Sequence, residues 1–261
     1  MSSKPAVLIT GASTGIGATY ADRFAKRGHD LVLVARDGAR LKELADRLVQ
    51  ATGVTVDVLG ADLTDPADLA KVETRLKEDA RIGILVNNAG TSLPGGFLEQ
   101  GADTLSRLIA LNATAVARLA SAVAPRLVAQ GGGAIVNIGS VLGVAPELAS
   151  TVYGATKAFV QLLSQGLAVE LGPKGVYIQA VLPAATRTAI WEKAGKDVNQ
   201  IEGVMEVGEM VDAALVGFDR REQVTIPPLH DDAQWNAFDA ARKAMLPNFR
   251  QTHAAPRYRA A

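Results

Sequence analysis

Short apolar runs that alternate with helical patterns constrain this chain more than any other feature. The runs are Ala6–Thr10, Leu31–Val34, Val54–Leu59, Ile84–Val86, Ala134–Ile138, Val176–Leu182 and Gln223–Ile226. Between them the spacing predicts helices over Gly15–Arg27, Arg40–Val49, Thr104–Ala129, Val152–Leu171 and Gly208–Phe218. A further helix is opened by Pro66, whose missing N–H costs little in a first turn. Strands buried on both faces read as continuous apolar runs, and their alternation with helices implies a parallel sheet covered on both sides. The fold class expected is α/β, with a seven-stranded, mostly parallel sheet in one doubly wound domain over 1–261. The chain has 261 residues, 48% of them hydrophobic, which excludes a disordered protein.

Within this frame, the long fourth helix is expected to bury Leu105, Leu108, Ile109, Val116, Leu119 and Val123. Residues 184–204 show no clean period and are the expected substrate lid. An amphipathic segment follows over Asp231–Met245, and 247–261 reads as a loose, basic tail.

The first turn carries chemistry. Thr10-Gly11-Ala12-Ser13-Thr14-Gly15-Ile16-Gly17 follows the first strand and opens the first helix. Glycines let a backbone turn tightly and approach a pyrophosphate, and a helix start offers free N–H groups and a positive dipole end. The spacing Gly-x3-Gly-x-Gly differs from the commoner Gly-x-Gly-x-x-Gly, but the strand–turn–helix context makes the segment a Rossmann-type dinucleotide site. An acidic residue ending the second strand would grip the ribose of NAD; here Ala35 and Arg36 stand there. A guanidinium binds phosphate bidentately, so NADP(H) is the expected cofactor, with NAD(H) as the alternative. A solvated surface role is the other reading of Arg36, as of Arg40. Asp62 suits an acceptor for an adenine amino group, or else a helix N-terminal acid near Pro66.

Other classes are poorly supported. The basic and acidic residues balance at 27 each, which argues against a nucleic-acid partner. With no cysteine there is no disulfide, thiolate nucleophile or zinc–thiolate site. His29, His230 and His253 are scattered without ligand spacing, so no metal is expected. No run approaches the roughly 18 uninterrupted apolar residues of a membrane span. The early position of the glycine turn leaves no room for a secretory leader. A cytoplasmic location is the expectation.

Tyr153 and Lys157 lie four residues apart and share a helix face. A free phenol has a pKa near ~10, and a neighbouring ammonium is expected to lower it by roughly 1–3 units. Such a pair gives or takes a proton at an alcohol or carbonyl oxygen. Ser140 ends the fifth strand, at the carboxyl edge where open α/β sheets bind ligands. Its hydroxyl is placed to hold the reacting oxygen, or else to form a local turn. A serine hydrolase is disfavoured, since no histidine supports Ser140 and no Gly-x-Ser-x-Gly elbow surrounds it.

Taken together, TGASTGIG at 10–17, Asp62, Asn87-Asn88-Ala89-Gly90, Asn112, Ser140, Tyr153-x3-Lys157 and Pro183 through Thr188 resemble the classical short-chain dehydrogenase/reductase family over about Val7–Ile226. The resemblance implies a catalytic tetrad. Tyr153 would be the general acid in reduction and the base in oxidation. Ser140 would hold the substrate oxygen, and Lys157 would tune the phenol and bind the nicotinamide ribose. Asn112 would hold a water of a proton relay; its plainer reading is a polar residue in a bent helix. The resemblance also implies a cofactor contacted by Gly11, Ser13, Thr14, Gly15, Ile16, Gly17, Arg36, Asp62 and Leu63, by Asn88, Ala89 and Gly90, by Tyr153 and Lys157, and by Pro183, Ala184, Thr186 and Thr188. Two departures stand out. Ala184 replaces the usual glycine after Pro183, and Thr14 stands where NADP-dependent relatives often carry a basic residue.

The expected function is hydride transfer between NADP(H) and a ketone or secondary alcohol, as a carbonyl reductase or 3-oxoacyl-type reductase. The rival is a regulatory protein that senses NADP(H) without turnover. Val141, Leu142, Leu93, Ala185, Ile190 and Trp191 are the candidate substrate pocket, suited to a hydrophobic small molecule. Trp191 is either a specificity residue or a packing residue of the lid. A homodimer or homotetramer is implied, joined through the long helices at 104–129 and 152–171.

Overall fold

The computed structural model describes residues 4–148 and 150–259. In it the apolar runs become one seven-stranded sheet. In chain order the elements are β1 (Ala6–Thr10), α1 (Gly15–Lys26), β2 (Leu31–Ala35), α2 (Gly38–Thr52), β3 (Val56–Gly60), α3 (Pro66–Glu78), β4 (Ile82–Asn87), α4 (Ala102–Ile109), α5 (Ala115–Ala129), β5 (Gly133–Ile138), α6 (Thr151–Leu171), β6 (Val176–Val181), α7 (Ile190–Lys193), α8 (Val207–Asp219) and β7 (Val224–Thr225). The strand order is β3-β2-β1-β4-β5-β6-β7. Every strand pairing described is parallel, rather than mostly so. The winding direction reverses between β1 and β4, and a crevice opens at the carboxyl ends of the strands there.

The period of two along each strand sorts the core into two layers. Val7 and Ile9 face one way and pack with Tyr20 and Phe24 of α1, Leu41 of α2 and Met210 of α8. Ala6 and Leu8 face the other way, toward Val72 of α3, Leu119 and Val123 of α5 and Leu171 of α6. Burial on both faces explains why these strands lack polar alternation. Helix starts are set locally. Asp65 accepts hydrogen bonds from the backbone N–H groups of Ala67 and Asp68, with Pro66 in the first turn of α3.

The helix expected over Thr104–Ala129 is present as Ala102–Ala129, but it is not α-helical throughout. A π turn, Ala110–Thr114, separates α4 from α5. Its extra residue shifts the helical phase by about 100°. The apolar stripe read across it therefore falls out of register, and Ile109 is 44% exposed rather than buried. β7 is shorter than expected, with two residues.

The chain divides into two compact units, Met1–Pro227 and Pro228–Ala261. Sheet and crevice belong to the first, where the sequence pattern implies one domain over 1–261. The second holds α9 (Asp232–Ala244), capped by Asp231, and two short 3-10 turns, Leu246–Arg250 and Pro256–Tyr258, in place of a structureless tail.

Candidate active site

A cavity of about 770 Å³ lies over the carboxyl ends of the strands. One end is the glycine turn. Gly11 (φ 65°) and Gly15 (φ 56°) hold left-handed backbone there, which glycine adopts without strain. The helix start is left open: Thr14, the N-cap of α1, is extended and makes no side-chain cap, and the first turn carries no acidic residue. Those N–H groups and the helix dipole favour an anion. Gly17 is buried and does not line the cavity. A side chain there would strike the Gly11 carbonyl and the Asn88 amide, so Gly17 lets α1 pack closely against the turn. Thr10 secures the turn: its Oγ1 accepts from the backbone N–H groups of Asn88 and Ala89, both at 3.0 Å. Asn88 Nδ2 donates back to the carbonyls of Thr10 (2.9 Å) and Gly11 (3.2 Å).

Around this end the cavity is lined by Ser13, Ile16, Arg36, Arg40, Asp62, Leu63, Ala89 and Gly90. The Arg36 side chain is 67% exposed and 4.0 Å from Asp62. Asp62 accepts from the backbone and hydroxyl of Thr64. These bonds and the Arg36 charge hold its carboxyl below the usual range, although partial burial opposes them. Arg40 pairs with Asp37, which caps α2.

The other end carries the acid–base group. Ser140, Tyr153 and Lys157 line the cavity together. Lys157 is buried, and its Nζ donates to the Ile138 carbonyl at 2.9 Å and sits 5.6 Å from the Tyr153 ring centre. Burial lowers the Lys157 ammonium to about 8. Burial also pushes the Tyr153 phenol up to about 12, with hydrogen bonding to Ser140 pulling the other way. The lowering expected from sequence is therefore not the state of the protein alone: desolvation outweighs the hydrogen bond to Ser140. Ser140 Oγ donates to the Pro183 carbonyl (3.4 Å) and accepts from Leu142 N–H, which fixes the hydroxyl at the strand end.

Asn112 sits in the π turn, fully buried, and does not line the cavity. Its amide is bound to Thr91 in both directions and reaches Thr156 Oγ1 at 3.3 Å. Thr156 in turn donates to the Tyr153 carbonyl (2.7 Å). The side chain of Asn112 thus braces the helix that carries Tyr153.

Pro183, Ala184, Thr186 and Thr188 line the cavity above β6. Ala184 is not among the described residues with positive φ, so it replaces glycine without strain. Both hydroxyls turn to backbone carbonyls, that of Thr186 to Ala184 (3.1 Å) and that of Thr188 to Thr186 (3.5 Å), and Thr186 is the buried one of the two. Of the expected substrate pocket, Leu93, Leu142, Ala185, Ile190 and Trp191 line the cavity. Val141 does not, because its N–H is tied to Pro183 and the residue turns away in a 3-10 helix. Ser92, Gly95, Leu111, Ser150, Ala189, Glu192, Ala194 and Lys196 also line it, and no sequence motif marks them. Most come from loops and turns, where periodicity is silent; Leu111 sits in the π turn and Glu192 in the four-residue α7. Ser150, at φ 67°, carries left-handed backbone that no sequence pattern announces.

The family model described as short chain dehydrogenase matches residues 5–199. A short-chain dehydrogenase from Sphingobium yanoikuyae, solved in complex with NADPH, is 67% identical, with a TM-score of 0.96 over 98% of this chain and 100% of that one. A bulky-bulky ketone specific alcohol dehydrogenase from Comamonas testosteroni is 60% identical, with a TM-score of 0.92 over 98% and 99% of the two chains. The very-long-chain 3-oxoacyl-CoA reductase of Rattus norvegicus is 36% identical over 187 residues, 70% of this chain but 60% of that protein's own length.

Proposed function

The chain belongs to the short-chain dehydrogenase family, and from that premise we propose that it is an NADPH-dependent reductase of ketones with bulky apolar substituents. The observation that carries the reading is one cavity with an open helix N-terminus and Arg36 at one end and Ser140, Tyr153 and Lys157 at the other. The residues fit a dinucleotide phosphate. The uncapped first turn of α1 and the strain-free Gly11 and Gly15 would receive the pyrophosphate, and Arg36 the 2′-phosphate. NADPH bound there would supply the hydride.

The chain's own groups do the rest. Ser140, fixed by Pro183 and Leu142, orients the substrate oxygen. Tyr153 donates its proton to that oxygen in reduction and takes it back in oxidation. A phenol held at about 12 is fully protonated at neutral pH, as a proton donor needs to be. Lys157 lies against the ring and stabilises the phenolate that remains.

The substrate side favours an uncharged ketone. Leu93, Leu142, Ala185, Ala189, Ile190 and Trp191 give it an apolar wall with small residues that leave room. Besides Lys157, which lies against the Tyr153 ring, Lys196 is the one cation among the described lining residues at that end, too little for the several phosphates of a coenzyme A thioester. The Comamonas relative, specific for bulky-bulky ketones, supports the same choice. Exposed Leu162 (65%) and Val169 (77%) on α6 support self-association through that helix. The test is a panel of diaryl ketones, small ketones and 3-oxoacyl thioesters assayed with NADPH and NADH. Diaryl ketones with NADPH should be turned over best; preference for the thioesters would replace this reading with that of the rat relative.

A further inference from the structure

The lid over 184–204 is closed on itself at its base. Thr186 and Met205 form a parallel bridge, Arg187 N–H donates to the Met205 carbonyl (3.0 Å), and Met205 N–H to that of Ala185 (2.9 Å). The Arg187 guanidinium spans the same stem, donating to Glu206 (2.8 Å) and to Asn199 (2.8 Å). From this stem α7 carries Trp191 into the cavity wall. The indole N–H does not point to the cavity: it donates to the Thr186 carbonyl at 2.7 Å. Thr186 belongs to the segment that follows β6 and lines the cavity with Thr188. One backbone carbonyl therefore joins the side chain that shapes the cavity wall to the segment that follows β6.

We propose that this indole–carbonyl latch fixes the depth of Trp191 in the pocket and thereby sets the size selectivity, with Arg187 as a positioning residue that acts through the stem. The inference rests on the ketone-reductase reading of the site. An aromatic plate held by a hydrogen bond gives a wall of fixed position, whereas the same plate without it rides on a four-residue helix. Trp191→Phe keeps a ring and removes the donor. Trp191→Ala removes the wall itself. Arg187→Ala leaves the plate and its bond but opens the stem.

The experiment measures kcat/KM for a diaryl ketone and for a small ketone, the NADPH Kd, and hydrogen exchange over 187–196 in the wild type and the three variants. The loss of one ordinary hydrogen bond corresponds to about a 3- to 10-fold effect. Trp191→Phe is expected to shift the bulky-to-small ratio by that much toward the value of Trp191→Ala, carried mainly by KM. Exchange at Gly195 and Lys196, whose N–H groups bond back to Glu192 and Trp191, should quicken by a similar factor. NADPH affinity should stay within about twofold. Arg187→Ala should shift both readouts in the same direction by a smaller factor. Unchanged exchange and an unchanged ratio in Trp191→Phe overturn the latch, and an Arg187→Ala protein identical to the wild type overturns the role of the stem. A wild type that reduces no ketone, but whose lid exchange still responds to Trp191→Phe, overturns the selectivity claim and the ketone reading together while leaving the contact intact.

Discussion

The floor of the cavity and its roof are held in different ways. On the floor, Lys157, Ser140 and Asn112 are buried and tied to strand ends, to the π turn and to helix α6. Each functional group there is fixed by packing in the sheet, and moving one means disturbing the core. The roof is a loop whose base is stapled by Arg187 and a single bridge, and whose wall residue hangs from one carbonyl. The difference teaches how one fold serves many substrates. Chemistry belongs to parts that cannot move without loss of stability, and selectivity to parts held by a few replaceable bonds. Substitutions in the floor should therefore remove activity, and substitutions in the roof should redistribute it.

The sharpest break between the two regions is expected from Tyr153→Phe. Losing the proton donor should lower kcat by about 10²–10⁴-fold while NADPH binding is kept. Steady-state kinetics and a fluorescence titration read the two quantities, and near-normal turnover would remove Tyr153 from the mechanism. Next comes Arg36→Ala, which separates cofactor choice from chemistry. A charge-assisted hydrogen bond of about 1.5–3 kcal/mol corresponds to a 10- to 100-fold loss in NADPH affinity, with NADH affinity little changed. Equal losses for both cofactors would mean that Arg36 does not face the 2′-phosphate.

The smallest effect concerns stability. Lys157 has a value of about 8 in the folded protein against 10.5 unfolded. Between those values the unfolded chain binds more protons, so this group's contribution to stability rises with pH across that window. The opposite effect of Tyr153, raised from 10.0 to about 12, sets in only above pH 10. Lys157→Met should therefore lose the rise between about pH 8 and 10 in denaturant unfolding. The same variant should move the pH profile of alcohol oxidation to higher pH, by about 1–3 units. If wild type and variant run parallel across that window, Lys157 is not desolvated as described.

What the sequence makes legible follows the same division. The floor is readable because its residues sit at strand ends and at helical spacing: Gly11, Ser140, and Tyr153 with Lys157. Periodicity is a local property of the chain, and it positions such residues without any long-range contact. The π turn is not readable, since Asn112 is held by Thr91, a residue distant in sequence, and the extra residue erases the phase that would place Ile109 inside. The phenol's upward shift escapes the sequence because spacing shows that a cation is near and does not show how much water is excluded. The roof is hardly legible at all. Arg187 meets Glu206 and Asn199 only through the closure of the loop, and Lys196 or Ser150 reach the cavity from segments without a period.

If the proposed function holds, the buried phenol and the arginine-marked dinucleotide site act on one ketone in one cavity. The most direct test is a single turnover: protein loaded with one equivalent of NADPH is mixed with excess diaryl ketone, and NADPH absorbance and alcohol product are followed together. The wild type should lose NADPH in step with one alcohol formed per cofactor, while Tyr153→Phe should hold its NADPH unconsumed over the same time. NADPH that binds tightly to the wild type and persists in the presence of every ketone tried would contradict the proposed function, and would make the site a sensor of the cofactor rather than an enzyme.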